Sequence, residues 1–345
     1  MVPAGLVEGD IGVTLEASER IPGGLTVTSE QDPAHGVIHF ARHPCEHVTA
    51  HRPMLKPDLQ IGRYRVLQPI GRGKPDGLFH VVDVDGRHFA MRSPIADLED
   101  SGSAITDRFL PEALGLKQLM HLNLVPLFEV FVTEQGYLCM VMERVIGRTL
   151  RTAIDSGEVG PRGTLIIARQ VLEGAAHAHA AGRVHRSLQP SRVMLVPMDG
   201  WNLVKVADFG LGTLRDDAVL EFGNDALTGS VRTISAAYMA PEQVKQRSVD
   251  ARTDLYAIGA IVFEMLTGRP PYRDSDPQNV MNMQVSARLP NLDDVVPGAP
   301  WITGPIKDLV NRSLAKEREE RFQNAQQMIQ AVELAFGSLQ HLPPE

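Results

Sequence analysis

Five histidines, His35, His39, His43, His47 and His51, recur at every fourth position, with Cys45 and Glu46 among them. On a continuous helix that spacing would stack imidazoles along one face, a plausible metal ladder. Gly36, Pro44 and Pro53 break such a helix, so a solvated, irregular histidine-rich stretch is the expectation. A second cluster, His185-Arg186-Ser187-Leu188-Gln189-Pro190-Ser191-Arg192, is followed by Asp208-Phe209-Gly210. Ser187 could act as a nucleophile only beside an aligned base, and the sequence offers none, so it reads as polar filler. Cys45 and Cys139 are the only cysteines. They give neither a disulfide framework nor a thiolate zinc cluster.

The elements that would position the second cluster follow from the apolar pattern. Residues 1–58 are punctuated by Pro3, Pro22, Pro33, Pro44, Pro53 and Pro57 and read as an irregular extension with a short strand near Gly24–Ser29. From Leu59 onward, alternation predicts strands around Tyr64–Leu67, Phe79–Val84, His88–Met91, Val125–Phe131 and Tyr137–Met142, with a helix around Asp107–Met120. After Gly147 the period becomes helical. Leu165, Ala168, Val171, Leu172, Ala175 and Ala178 form one stripe closed by Gly182, and Leu255, Ile258, Ile261, Val262 and Met265 form another ended by Gly268. Two further helices are marked by Ile306, Leu309, Val310 and Leu314, and by Ala325, Met328, Ile329 and Val332. The expectation is an α+β chain with a small β-rich lobe (59–144), a larger helical lobe (145–339), a short tail (340–345), and any ligand in the cleft between the lobes.

In this order the motifs resemble the eukaryotic-type protein kinases, closest in style to bacterial Ser/Thr kinases. Ile70-Gly71-Arg72-Gly73 with Gly77 resembles the glycine-rich loop, and Phe89-Ala90-Met91-Arg92 the strand that carries the phosphate-holding lysine. Glu112 stands where the first helix offers a partner carboxylate. Glu143 and Val145 lie in a hinge-like segment, and Met194 joins them in the implied nucleotide site. His185 and Arg186 stand where the family's catalytic loop opens, and Asp208-Phe209-Gly210 resembles the triplet whose aspartate binds metal in the family. Tyr238-Met239-Ala240-Pro241-Glu242, Asp254 and Arg321 follow at family spacings. The resemblance implies a bilobal fold. It also implies that His185 stacks on Phe209, that Asp254 caps the catalytic-loop backbone, and that Glu242 pairs with Arg321.

The same resemblance exposes departures. Where the family orients the attacking hydroxyl with an aspartate, this chain has Ser187. The lysine two positions on is Gln189, and the metal-binding asparagine is Arg192. A serine is no useful base near neutral pH, and a guanidinium repels Mg²⁺ instead of coordinating it. Arg92 keeps the lysine's charge with a different length and fork geometry. Pro75 removes an amide from the glycine-rich loop and Asp76 adds an acid there. Counting from Gly77 places Phe79 over the adenine slot. Loss of a general base costs about 10²–10⁴ in rate, so a module with impaired or no phosphotransfer, regulating or scaffolding another protein, is expected.

Within that reading Asp208 pairs with Arg192, and Arg92 with Glu112. ATP binding is expected to be weak and Mg²⁺ disfavoured. One alternative is a slow ATP-dependent Ser/Thr protein kinase that compensates with Arg92, Asp208 and a displaced carboxylate such as Asp217 or Asp225. Another is a sensor that binds nucleotide without metal through Arg92 and Arg192 and transfers nothing. Unusual transfer chemistry on the same fold is a further possibility.

Charge narrows the partners. The 345 residues carry 34 Lys+Arg against 42 Asp+Glu, a net charge of −8. That balance argues against nucleic acid or an anionic membrane as the main partner. A protein partner is expected instead, including an active kinase that modifies Thr228, Ser230, Thr233 or Ser235 so that Arg186 meets a phosphate. No apolar run reaches the roughly 18–20 residues of a membrane span. The N-terminus, with Glu8 and Asp10, has no basic-then-apolar leader, and a cytoplasmic location is the expectation.

Overall fold

The computed structural model describes residues 57–70, 78–92, 110–111, 113–133, 138–210 and 236–341, together with the backbone of four short strands between residues 20 and 40. The chain divides into two compact units, Met1–Arg52 and Pro53–Glu345. In the first, Arg20–Ile21 pairs with Leu25–Thr26 and Ser29–Gln31 with Ile38–Phe40, placing Glu30 opposite His39. His39 is thus in a strand, and the other members of the histidine ladder lie outside the described residues.

In the second unit six strands form one antiparallel sheet: β1 (Gln60–Ile61), β2 (Tyr64–Pro69), β3 (Leu78–Asp83), β4 (His88–Arg92), β5 (Leu127–Val132) and β6 (Leu138–Glu143). Their order is β1-β2-β3-β4-β6-β5. Directly paired residues in antiparallel strands share a face, and neighbours along a strand alternate. The pairings Leu78↔Arg92, His80↔Ala90 and Ala90↔Met142 therefore define one face, and Phe79↔Met91 and Val81↔Phe89 the other. The second face closes its own core of Ile61, Tyr64, Val66, Phe79, Val81 and Met91 with Cys139 and Val141. The first joins the main core, which continues through Ala90, Met140 and Met142 into the helices.

A three-stranded sheet follows, β7 (Arg148–Thr149), β8 (Val193–Met198) and β9 (Trp201–Val206). Its outer edge is finished by side chains. Gln170 Nε2 donates to the Asn202 carbonyl at 3.1 Å, and Gln170 Oε1 accepts from the Val204 amide at 3.0 Å. Asn123 Nδ2 donates to the Val204 carbonyl at 2.9 Å.

Eight helices complete the described large lobe, of which four position the site. α1 (Leu150–Asp155) leads to α2 (Pro161–Ala180), which starts on a proline and ends before Gly182, at φ +71°. Proline at the first turn and a left-handed glycine past the last are the expected boundary chemistry. α3 (Pro241–Val244) precedes α4 (Ala251–Thr267), whose residues are buried continuously from Thr253 to Leu266. A helix buried all round is a central one. Asp250 caps its start, and Gly259 lets α7 (Gly304–Ser313) cross closely, since a Cβ there would lie 2.3 Å from Ser313 Oγ. The remaining helices are α5 (Pro277–Ser286), α6 (Leu292–Val295) and α8 (Ala325–Gly337). No helix among the described residues is long and apolar enough to cross a membrane.

Candidate functional site

α4 anchors the loop that follows α2. Asp254, almost wholly buried, accepts the Arg186 amide on Oδ1 at 2.9 Å and the His185 amide on Oδ2 at 2.8 Å. His179 Nε2 reaches the same Oδ2 at 2.8 Å, a third donor with no motif to announce it. Arg186 sits at φ +65°, a left-handed conformation that non-glycine residues rarely hold. Its amide is tied to Asp254, and its carbonyl accepts from Gln243 Nε2 at 2.7 Å, so the surroundings enforce the bend.

His185 is fully buried. Its Nε2 faces the Ala207 carbonyl at 3.0 Å and its Nδ1 faces the Ser187 amide at 3.3 Å. A carbonyl only accepts and an amide only donates, so the proton resides on Nε2. Burial pulls the imidazole below its ordinary pKa, favouring the neutral ring. Phe209 packs edge-on against His185 at 5.0 Å and against His179 at 6.0 Å between ring centres.

Asp208 lies beyond β9 at φ +63°. Arg92 Nη1, from the end of β4, stands 3.0 Å from its Oδ2, and Arg192 Nη1 closes on that same oxygen. The three side chains are only 7%, 14% and 4% exposed for Arg92, Arg192 and Asp208. Charges buried this deeply persist only when paired. Arg192 ends a short 3₁₀ turn, Pro190–Arg192, for which Gln189 is the cap. Gln189 is buried, and its Oε1 has no hydrogen-bond partner among the described residues. Ser187 meets His185 Nδ1 through its backbone amide.

These contacts bear on a divalent metal of the kind that serves the resembled family. Among the described residues Asp208 meets the guanidiniums of Arg92 and Arg192, and no cluster of three metal-binding side chains occurs there. Two guanidiniums on one carboxylate do not suit a resident Mg²⁺, which seeks oxygen ligands.

At the apolar end of the cleft the register corrects one expectation. Phe79 points into the small lobe's separate core, 4% exposed, while Leu78, half-buried, shares the face of Ala90 and packs on the main core. On β3 it is therefore Leu78 that faces the main core, and the Phe79 ring lies on the opposite face. Met194 is half-buried on β8, opposite Lys205 and on its face of the sheet. Lys205 in turn meets Glu143 at 2.7 Å, a pairing that spacing alone does not suggest. Val145 follows, half-buried. A small cavity of about 30 Å³, lined by Leu116, Leu119, Leu127, Met140 and Met142, reaches Asp208 and Phe209. It has room for roughly one water.

Gly210 (φ +80°) presses against Leu116, and a Cβ on it would lie 2.4 Å from Leu116 Cδ2. Below the cleft, Glu242 and Arg321 form a buried two-pronged pair at 2.9 Å per prong. Arg321 also donates to the carbonyls of Ala315, Lys316 and Arg252, so all five of its N–H groups are used. Tyr238 is held by Glu264 at 2.5 Å, and Arg151 bridges to the same carboxylate at 2.7 Å. Gly71, Gly73, Gly77, Glu112 and residues 211–235, with Asp217, Asp225 and the hydroxyls expected to be modified, lie outside the described residues. The expected Arg92–Glu112 pair therefore lies outside them too.

Known proteins are similar to this chain. A probable serine/threonine-protein kinase of Streptomyces coelicolor is 33% identical over 275 residues, covering 77% of this chain and 39% of that protein. The serine/threonine-protein kinase PrkC of Bacillus subtilis is 29% identical over 279 residues, 80% of this chain and 41% of its own length. The chain thus spans about two-fifths of the length of these relatives. The crystal structure of the Mycobacterium tuberculosis PknI kinase domain superposes with a TM-score of 0.61 at 20% identity, over 82% of this chain and all of that one, a likeness of fold. The family model described as the protein kinase domain matches residues 64–332, the span that holds the buried Glu242–Arg321 brace, the Asp254-capped loop and Asp208, and the chain belongs to that family.

Proposed function

We propose that the chain is a kinase-fold module in which phosphoryl transfer is lost or severely impaired, acting on protein partners as a regulator or scaffold. One observation carries this reading: Arg92 and Arg192 both close on Asp208 Oδ2, where a metal-binding carboxylate would have to be open. Ser187 supports it, standing where the family places an aspartate that orients the attacking hydroxyl. The parts that remain are structural: the Asp254 cap, the His185–Phe209 stack and the Glu242–Arg321 brace.

The similarity to serine/threonine-protein kinases supports a second reading, a slow ATP-dependent Ser/Thr protein kinase. Leu78 in place of a phenyl ring favours it as well, because a planar base has an apolar face to lie against. A radiolabelled phosphate-transfer assay beside an Asp208→Ala control separates the two. The module reading expects no Asp208-dependent incorporation; clear incorporation that vanishes in the control establishes the kinase. Thermal melting with ATP, with and without Mg²⁺, identifies the third reading: a shift needing no metal marks a nucleotide sensor.

A further inference from the structure

Residues 205–208 belong to the large lobe, yet they grip the small lobe at three successive points. Lys205 Nζ meets Glu143 Oε2, at the end of β6, at 2.7 Å. The Val206 amide donates to the Asn123 carbonyl at 2.8 Å, and the Val206 carbonyl accepts from the Val125 amide at 2.9 Å. Asp208 holds Arg92, at the end of β4, at 3.0 Å.

The spacing of these anchors matches. Arg92 pairs with Met140 in the sheet, so the small-lobe anchors stand at the Met140 and Glu143 levels, three residues apart. Lys205 and Asp208 are also three residues apart, Lys205 within β9 and Asp208 two residues past its end. Both ends of the segment engage the small lobe at once, Lys205 through Glu143 and Asp208 through Arg92. The Lys205 side chain is 12% exposed and that of Glu143 32%, which shields the pair from part of the screening that weakens surface bridges.

We propose that residues 205–208 staple the two lobes together, with Lys205–Glu143 as the latch beside the hinge. The inference rests on the reading above, in which no metal–nucleotide complex is needed to draw the lobes together. Lys205 is a positioning residue in this scheme, acting through Glu143 on the segment 143–149.

Amide hydrogen exchange over residues 143–149 tests it, comparing the full chain with Lys205→Met, Glu143→Gln, the double variant and Lys205→Arg, without ligand. Each single variant is expected to speed exchange about fivefold, the factor for roughly 1 kcal/mol at a partly exposed pair. The double variant should exchange no faster than either single one, and Lys205→Arg should keep most of the protection. Unchanged exchange in Glu143→Gln, or effects that multiply in the double variant, would overturn the latch. If Lys205→Met does not fold, Glu143→Gln and Lys205→Arg still decide it. The phosphate-transfer assay on the same samples keeps the two claims apart: incorporation removes the impaired-transfer reading and leaves the latch standing, whereas unchanged exchange does the reverse.

Discussion

The Arg192 guanidinium shares one carboxylate oxygen of Asp208 with Arg92, so two cations from different lobes converge on a single Oδ2. Removing one of them should reopen the carboxylate. In Arg192→Asn an amide oxygen replaces the guanidinium, and ATP with Mg²⁺ is expected to raise Tm by about 5 °C, with little effect from ATP alone. That shift corresponds to nucleotide near a hundredfold above its Kd. Thermal melting of both proteins with ATP, with and without Mg²⁺, measures it; equal responses would show that Arg192 does not obstruct the metal.

Arg321 makes a second, harsher prediction. Its five N–H groups are all satisfied, and its partner Glu242 is buried. Burial alone would raise the Glu242 pKa, but the paired guanidinium more than reverses this and holds it below the usual range. Arg321→Ala strands that carboxylate, at a cost of about 3–5 kcal/mol. Arg321→Lys, with one ammonium for a planar fork, should recover only part of the loss. Urea unfolding midpoints of the three proteins check the ranking.

A lysine supplies the pH dependence. Lys316 donates to the Tyr272 hydroxyl at 2.9 Å and to the Met283 and Gln284 carbonyls at 3.2 and 2.8 Å, at the end of α5. Burial, aided by the Arg321 and Lys245 charges, lowers its pKa from 10.5 to about 8. The folded protein thus releases this proton near pH 8 and the unfolded chain near 10.5, so between them the unfolded state binds more protons. Stability contributed by this group therefore rises with pH across that window. Lys316→Met should flatten the rise in urea melts. Tyr272 stays neutral throughout, its own pKa being pushed up to about 12 by burial.

Gly210 tests the join between Phe209 and the small lobe. Gly210→Ala combines a left-handed backbone with a contact on Leu116, and should lower stability by about 1–3 kcal/mol. Truncating Leu116 to Ala in the same chain relieves the contact but not the backbone strain, so only part of the Gly210→Ala effect should be recovered in thermal melts.

Much of the fold is legible in the sequence because its strands and helices carry strong periodicity. The stripe from Leu165 to Ala178 and the run from Leu255 to Met265 become α2 and α4 with their glycine boundaries. Phe79 was less legible for a physical reason. Counting from Gly77 fixes its number but not its face, and a one-residue change of register sends a strand side chain to the opposite side. Alternation against Ala90 in the neighbouring strand is the signal that identifies Leu78 instead. Lys205–Glu143 and His179–Asp254 had no comparable signal, since both join residues more than sixty positions apart that the fold alone brings together.

Gln170 has a consequence for how a partner protein can attach. By taking up the Asn202 carbonyl and the Val204 amide, it consumes positions a visiting strand would need to extend the sheet beyond β9. Sheets with open borders invite that kind of annexation. Here the border is sealed from within at those positions, so a protein that docks on this flank must read side chains and shape instead of adding its own backbone.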